Sequence, residues 1–260
     1  MTVYFQELKR SRLSLIIWTA VITFMLCITV LIYPQMSSQM SDITDMFSDM
    51  GSFSSAFGMD KLNFGEFSGY FSIECGNVLG LGGALFAAIA GISAIVKEEK
   101  ERTSEFLYTQ PLSRSRIIFE KLLALITQII ILNVILWCAV FASIAVIGET
   151  MELKVLLLLF AAYLLLQIEI ALICFGISAF LRKGGIAVGL GLAIVFYFLN
   201  IISNITEDAK ELKYLTPFSY TDGADIISNK SLDIKYVAVG MIFAAVGVIT
   251  AFIRYRKKDL

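Results

Sequence analysis

Glu169 is the one ionisable side chain inside a long apolar run, LLLQIEIALI, and Gln167 stands two residues before it. A carboxylate at the centre of a hydrocarbon layer costs at least about 2.5 kcal/mol, so it should face protein or water, which makes this a candidate functional position. Three roles stay open for it: a helix-packing hydrogen bond with Gln128 or Asn133, a polar feature of a substrate path, or a proton-coupling group. Little other chemistry is on offer. The chain has no histidine, hence no imidazole base, no Ser-His pair and none of the commonest transition-metal ligand. Cys27, Cys75, Cys138 and Cys174 lie far apart, in or beside apolar segments and without CxxC spacing. They read as small buried hydrophobes, and no metal site is expected. No G-x-x-x-x-G-K-S/T loop occurs, so any use of ATP needs a site on another subunit.

The elements that must position these residues follow from composition. Of 260 residues, 58% are hydrophobic and 17% charged, with a mean hydropathy of +0.80; soluble domains average about 45–50% apolar and about 25% charged. The chain therefore belongs in a membrane. A net charge of −1, from 21 basic and 22 acidic residues, argues against a nucleic-acid partner. A bilayer core of about 30 Å needs about 20 apolar helical residues. Six stretches qualify, 13–33, 76–96, 122–148, 155–181, 184–204 and 236–253, and Glu169 is the only charge among them. The expected fold is an all-α integral membrane protein of six transmembrane helices forming one transmembrane domain over 1–260.

Basic residues set the orientation. Fifteen lie at the N-terminus, in the 97–121 loop, at Arg182 and Lys183, and in the C-terminal tail, whereas Lys61, Lys154, Lys210, Lys213, Lys230 and Lys235 share the alternate loops with 14 carboxylates. By the positive-inside bias both termini are expected in the cytoplasm. Pro34-Gln35-Met36 should end the first span, and the outer segment 34–75, rich in Met and Phe, is expected as a short amphipathic helix on the outer face, with disorder as its rival. The second outer loop, 205–235, should hold a helix or a partial re-entrant turn. Because only Arg182 and Lys183 link the fourth and fifth spans, these two are expected as a tight antiparallel hairpin. The stripes Gly76-xxx-Gly80-xxx-Ala84, Gly83-xxx-Ala87-xxx-Gly91 and Gly185-xxx-Gly189 suit close helix packing.

The loop 97–121 reads KEEKERTSEFLYTQPLSRSRIIFEK. Glu98 and Arg102 form an i,i+4 pair that would carry the second span beyond the membrane. A short helix bearing Phe106, Leu107 and Tyr108 is expected next. Pro111 stops it, and Ser113 is placed to cap the helix that follows. An ordinary charged connector is the bland alternative. The order Glu99, Glu101, Thr103, Glu105, Leu107, Pro111, Ser113, Arg114, then Lys121-Leu122, resembles the signature of ABC-2 type permeases, although this chain has Arg102 where the family often has glycine.

The resemblance implies a membrane subunit of an ATP-binding-cassette exporter, lodged in a bacterial plasma membrane as a multi-pass protein surrounded by lipid. It implies a second identical or similar permease subunit and two ABC ATPase subunits, which would bind ATP and Mg; this chain itself would carry no cofactor and no catalytic residue. The 97–121 segment would be the coupling helix, with Glu101, Thr103, Glu105, Phe106, Leu107, Tyr108, Pro111 and Arg114 on the ATPase. The segment Val3, Tyr4, Phe5 and Leu8, with Glu7, Lys9 and Arg10, has the composition of an amphipathic interfacial helix and resembles the family's connecting helix. Cargo of such chains is amphipathic: peptide, antibiotic or lipid-like. The competing function is an ion-coupled secondary transporter or channel that uses Glu169.

Overall fold

The computed structural model of the chain describes residues 2–49, 54, 56, 62–63, 65–100, 113–181 and 185–257. It is 89% helical, with no strands among the described residues. Eight α-helices are described: α1 (Thr2–Asp49), α2 (Phe67–Cys75), α3 (Gly83–Lys100), α4 (Arg114–Ile147), α5 (Leu153–Ser178), α6 (Gly185–Ile205), α7 (Gly223–Asn229) and α8 (Ile234–Arg256). A π-helical turn, Gly76–Gly82, joins α2 to α3 into one membrane-length element. With α1, α4, α5, α6 and α8 it makes six helices long and apolar enough to cross a bilayer.

Helix α5 is the axis of the bundle. It packs chiefly on α3 and α8 and more lightly on α4, while α1 lies along α4. The glycine stripes are the contact faces. A Cβ at Gly91 would stand 2.3 Å from the Ala171 carbonyl oxygen, and one at Gly83 would stand 2.2 Å from Gln167 Nε2. Gly176 of α5 and Gly247 of α8 meet backbone to backbone, the added Cβ falling 2.6 Å from Gly247 Cα. In lipid, where apolar surface alone gives little drive to associate, such close approach is what holds helices together. The outward faces of α1, α6 and α8 remain apolar and exposed, as at Leu13, Phe24, Val195 and Ile242.

Three sequence expectations change. The first span does not end at Pro34: α1 runs unbroken from Thr2 to Asp49 with Pro34 inside it, so the N-terminal amphipathic segment and the first part of the outer segment belong to one helix. Proline removes one ladder bond, but packing from α2 braces this stretch. The Tyr70 hydroxyl donates to the Thr29 carbonyl at 3.1 Å, and the Tyr33 hydroxyl to the Gly65 carbonyl at 2.8 Å. At about 1.5 Å per residue α1 far exceeds one bilayer. The fourth and fifth spans are not a tight hairpin either. Helix α6 scarcely meets α5 and packs on α3, because Gly185 and Gly189 let it sit against Ile92 and the Ala88 carbonyl. Finally, α5, α6 and α8 match their apolar stretches within three residues at each end, whereas α1, the joined α2–α3 element and α4 each run eight residues or more past theirs at one end or both.

The second outer loop folds against the bundle. It contains two 3₁₀ turns, Glu207–Tyr214 and Pro217–Tyr220, followed by α7. Thr216, Pro217, Phe218, Ser219, Tyr220 and Thr221 are buried, and Tyr163 of α5 donates to the Thr221 carbonyl at 3.1 Å. This meets the expectation of a helix or a partial re-entrant turn.

Candidate functional site

Of the eight residues expected on the ATPase, Glu101, Thr103, Glu105, Phe106, Leu107, Tyr108 and Pro111 lie outside the described residues, and Arg114 lies within them. What is described is the frame that holds the two ends of that segment. Ser113, in extended conformation, caps α4 by accepting from the Arg116 N–H. Arg114 donates from Nη1 to the Arg256 carbonyl at 3.2 Å, tying the start of α4 to the last turn of α8.

One turn further on, two adjacent residues gather three helices. Glu120 Oε2 accepts from the Val3 and Tyr4 N–H groups at 3.1 and 3.2 Å, and Glu120 Oε1 from Arg116 Nε at 3.1 Å. The opening turn of any helix presents unpaired N–H groups and a partial positive charge, so a carboxylate there is stabilising. Lys121 Nζ donates to Glu7 Oε1 at 2.8 Å and to the Ala94 carbonyl at 2.9 Å. Its side chain is 1% exposed. Helices α1, α3 and α4 are thus locked together by charged groups that are almost wholly withdrawn from water. Sequence reasoning counted Lys121 as a topological charge and part of a signature, placed Glu7 in an interfacial segment, and did not single out Glu120. A Glu-Lys pair directly before an apolar run was the available signal, since two charges at a membrane threshold need partners.

The second candidate lies at mid-membrane. Gln167 and Glu169 are two residues apart on α5, about 200° around the helix, and they serve opposite sides. Gln167 faces Gly83 of α3 and accepts from Asn133 Nδ2 of α4 at 2.7 Å. Glu169 faces α8, where the absent side chain of Gly240 makes room: a Cβ there would fall 2.1 Å from Glu169 Oε2. Both partners expected for Glu169 are engaged elsewhere, Asn133 with Gln167 and Gln128 with the Ala124 carbonyl of its own helix. The Glu169 carboxyl is 0% exposed and neither oxygen has a hydrogen-bond partner among the described residues. Tyr220, from the outer 3₁₀ turn, approaches the carboxyl closely enough for a weak hydrogen-bond interaction, short of full geometry. Burial first, and then the neighbouring Glu169, push the Tyr220 hydroxyl well above its ordinary value.

Six apolar helices on a glycine-packed axis, with a paired polar threshold at the end where both termini lie, define a polytopic helical membrane protein. The chain belongs to the ABC-2 family: the family model described as ABC-2 family transporter protein matches residues 1–260. It is thus a permease, the membrane component of a transporter, and ABC-2 permeases work with ATPase subunits, generally as dimers. No curated protein matches the chain.

Proposed function

We propose that the chain is the membrane-spanning subunit of a bacterial ABC exporter in the plasma membrane, with both termini cytoplasmic. Two ABC ATPase subunits, which bind ATP and Mg, dock on the 97–121 loop beneath a pair of identical or similar permease subunits. The cargo is amphipathic: a peptide, an antibiotic or a lipid-like molecule. The observation that carries this reading is the junction at Glu120 and Lys121. A push delivered to the start of α4 reaches α1 through Val3, Tyr4 and Glu7, and α3 through the Ala94 carbonyl. Such a knot would convert a local stroke into joint movement of three spans.

Changing Phe106 and Leu107 together to Asp should abolish co-purification of the ATPase, or uncouple hydrolysis from transport, while the protein still inserts in the membrane. A double variant that assembles and exports normally would overturn the coupling assignment.

The burial of Glu169 without a hydrogen-bond partner keeps a second reading, ion-coupled transport, worth testing. In that case transport would persist in vesicles lacking any ATPase and would fail in Glu169→Gln. Under the exporter reading, transport requires the ATPase and survives that substitution.

A further inference from the structure

Few groups near Glu169 could offset a charge on it. From α8 it meets Gly240, which has no side chain to offer. From the outer loop it meets Tyr220, the one described titratable group that acts on it. Asn133 and Gln167 bond to each other on the opposite side of α5, and no described charged group acts on Glu169 from α3, α4 or α8. With both carboxyl oxygens buried and short of full hydrogen bonds, an ionised Glu169 would be a bare charge inside an apolar bundle, among the costliest groups a membrane protein can bury. The described packing accommodates the neutral acid and not the carboxylate. Tyr220 touches something else as well. It lines a cavity of about 340 Å³ together with Ser219, Asp225, Asn229 and Asp233, at the end of the bundle away from the termini, where α8 begins. The turn that carries it is seated by uncharged contacts: Tyr163 donates to the Thr221 carbonyl at 3.1 Å, and the Thr216 hydroxyl donates to the Phe196 carbonyl at 2.8 Å.

We infer that Glu169 is a proton-operated latch for the outer turn 216–221: the neutral acid lets the turn sit on the bundle, and loss of the proton lifts the turn so that water from the cavity reaches the carboxylate. In that step the carboxyl O–H bond breaks, the proton passes to water and the negative charge stays on Glu169. The latch works by sparing a buried charge, not by a strong bond, since the hydroxyl of Tyr220 reaches the acid only weakly. Linkage fixes the sign. The seated turn holds one proton that, once the turn is lifted, is held only as an exposed carboxyl holds it. Seating is therefore complete below about pH 4, where an exposed carboxyl is itself protonated, and it weakens as pH rises, by up to about tenfold per pH unit for one proton. This goes beyond the exporter reading and needs no ATPase.

Three amides report the seat. The Ser219 N–H donates to the Thr216 carbonyl, the Thr221 N–H to the Phe218 carbonyl, and the Phe218 N–H to the Thr216 hydroxyl, so their exchange with deuterated water requires the turn to leave. Purified full-length chain in phosphatidylcholine nanodiscs, without ATPase, is compared with Glu169→Gln, a fixed analogue of the neutral acid, by the exchange of peptides covering 216–222 from acid to alkaline pH. At any one pH the intrinsic exchange rate is common to both chains, so their ratio isolates seating. The two should exchange alike in acid, and the parent should then exchange progressively faster than the variant as pH rises. Infrared spectra should show, wherever the turn is protected, the carbonyl band of a protonated carboxyl that is missing in Glu169→Gln. The band should move to higher frequency in Tyr220→Phe, where that carbonyl loses its donor. Within the parent alone the band should fade over the same pH range in which the turn loosens, so the test does not depend on either variant folding. A ratio that stays constant with pH, or a protected turn without the band, would overturn the inference. So would protection that follows sodium concentration at fixed pH, which would put a metal ion where the proton is assigned. Failure of ATPase docking in the Phe106 and Leu107 variant would leave every one of these readings unchanged, so the two proposals fail separately.

Discussion

Two buried polar regions of this permease solve the same problem in opposite ways. At the threshold near the termini, Glu120 and Lys121 are almost fully buried, and each is met by groups from other helices: two N–H groups of α1 for Glu120, and Glu7 with the Ala94 carbonyl for Lys121. At mid-membrane, Glu169 is just as buried and has no hydrogen-bond partner among the described residues, only a glycine that makes room and a tyrosine that falls short. A buried polar group without partners is expensive. A fold that satisfies one site this fully and leaves the other open is rigid where force would enter and polarised, in the middle, where nothing structural demands it. The threshold is therefore expected to dominate stability, and the Glu169 carboxyl to detract from it.

Breaking the threshold should produce the largest effect. Lys121→Met removes the cation from a pair whose side chains are 1% and 17% exposed, and the stranded Glu7 carboxylate should cost about 3 kcal/mol, at the low end for a broken buried pair because Glu7 keeps some contact with water. Glu7→Gln in the same chain should recover much of that loss, since the uncompensated charge is what hurts. Chemical unfolding in detergent of both single variants and the double gives the coupling directly. Additive losses would show that the ion pair is incidental to the junction.

The threshold was also the part least legible in advance. Apolar runs reveal spans because a bilayer demands length and uniform hydropathy, both local properties; they gave the number of long apolar helices, while α1, the joined α2–α3 element and α4 run on well past the apolar stretch that marked them. Partners are not local. The run from Lys9 to Tyr33 says nothing of α4, and no count of charges shows that Glu120 receives the amino end of α1. Pro34 read as a stop because propensity is local, whereas the bracing from Tyr70 and Tyr33 that carries α1 through it depends on tertiary contacts. Small-residue stripes were informative but directionless: Gly185 and Gly189 marked a contact face, yet the face belongs to α3, not to the sequence neighbour α5. At mid-membrane, Glu169 and Gln167 stood out by type, and their two-residue spacing sets them on opposite sides of a helix; which helices they would meet was not local information.

The mid-membrane half of the comparison can be sharpened through Gly240. An alanine there would place Cβ 2.1 Å from Glu169 Oε2, so Gly240→Ala should destabilise by about 1–3 kcal/mol, the usual range for overpacking. Shortening the opposing side chain should reverse this: Gly240→Ala combined with Glu169→Ala should be more stable than Gly240→Ala alone. If the double variant is no better, α8 itself and not the carboxyl is what the added methyl strikes, and the site is tighter than a pocket made for one side chain. Thermal unfolding of the four chains under one detergent condition decides it.

The smallest expected effect belongs to the hydrogen bond on the other side of α5. Asn133 donates to Gln167 at 2.7 Å in a setting where no water competes, which suggests a strong contribution. The reference state argues otherwise, because helices separated within a membrane find other partners for their polar groups, and measured interhelical bonds average about 0.6 kcal/mol, reaching about 1.7. Asn133→Leu should therefore cost under about 1 kcal/mol, although it buries the Gln167 carbonyl without its donor. Asn133 Nδ2 also donates to the Ile129 carbonyl of its own turn at 2.9 Å, a group whose helical bond survives the substitution, so little else is lost. A cost near that of Lys121→Met would mean that α4 and α5 are held by this one bond rather than by their apolar contact, and would remove the asymmetry between the paired threshold and the sparsely bonded centre.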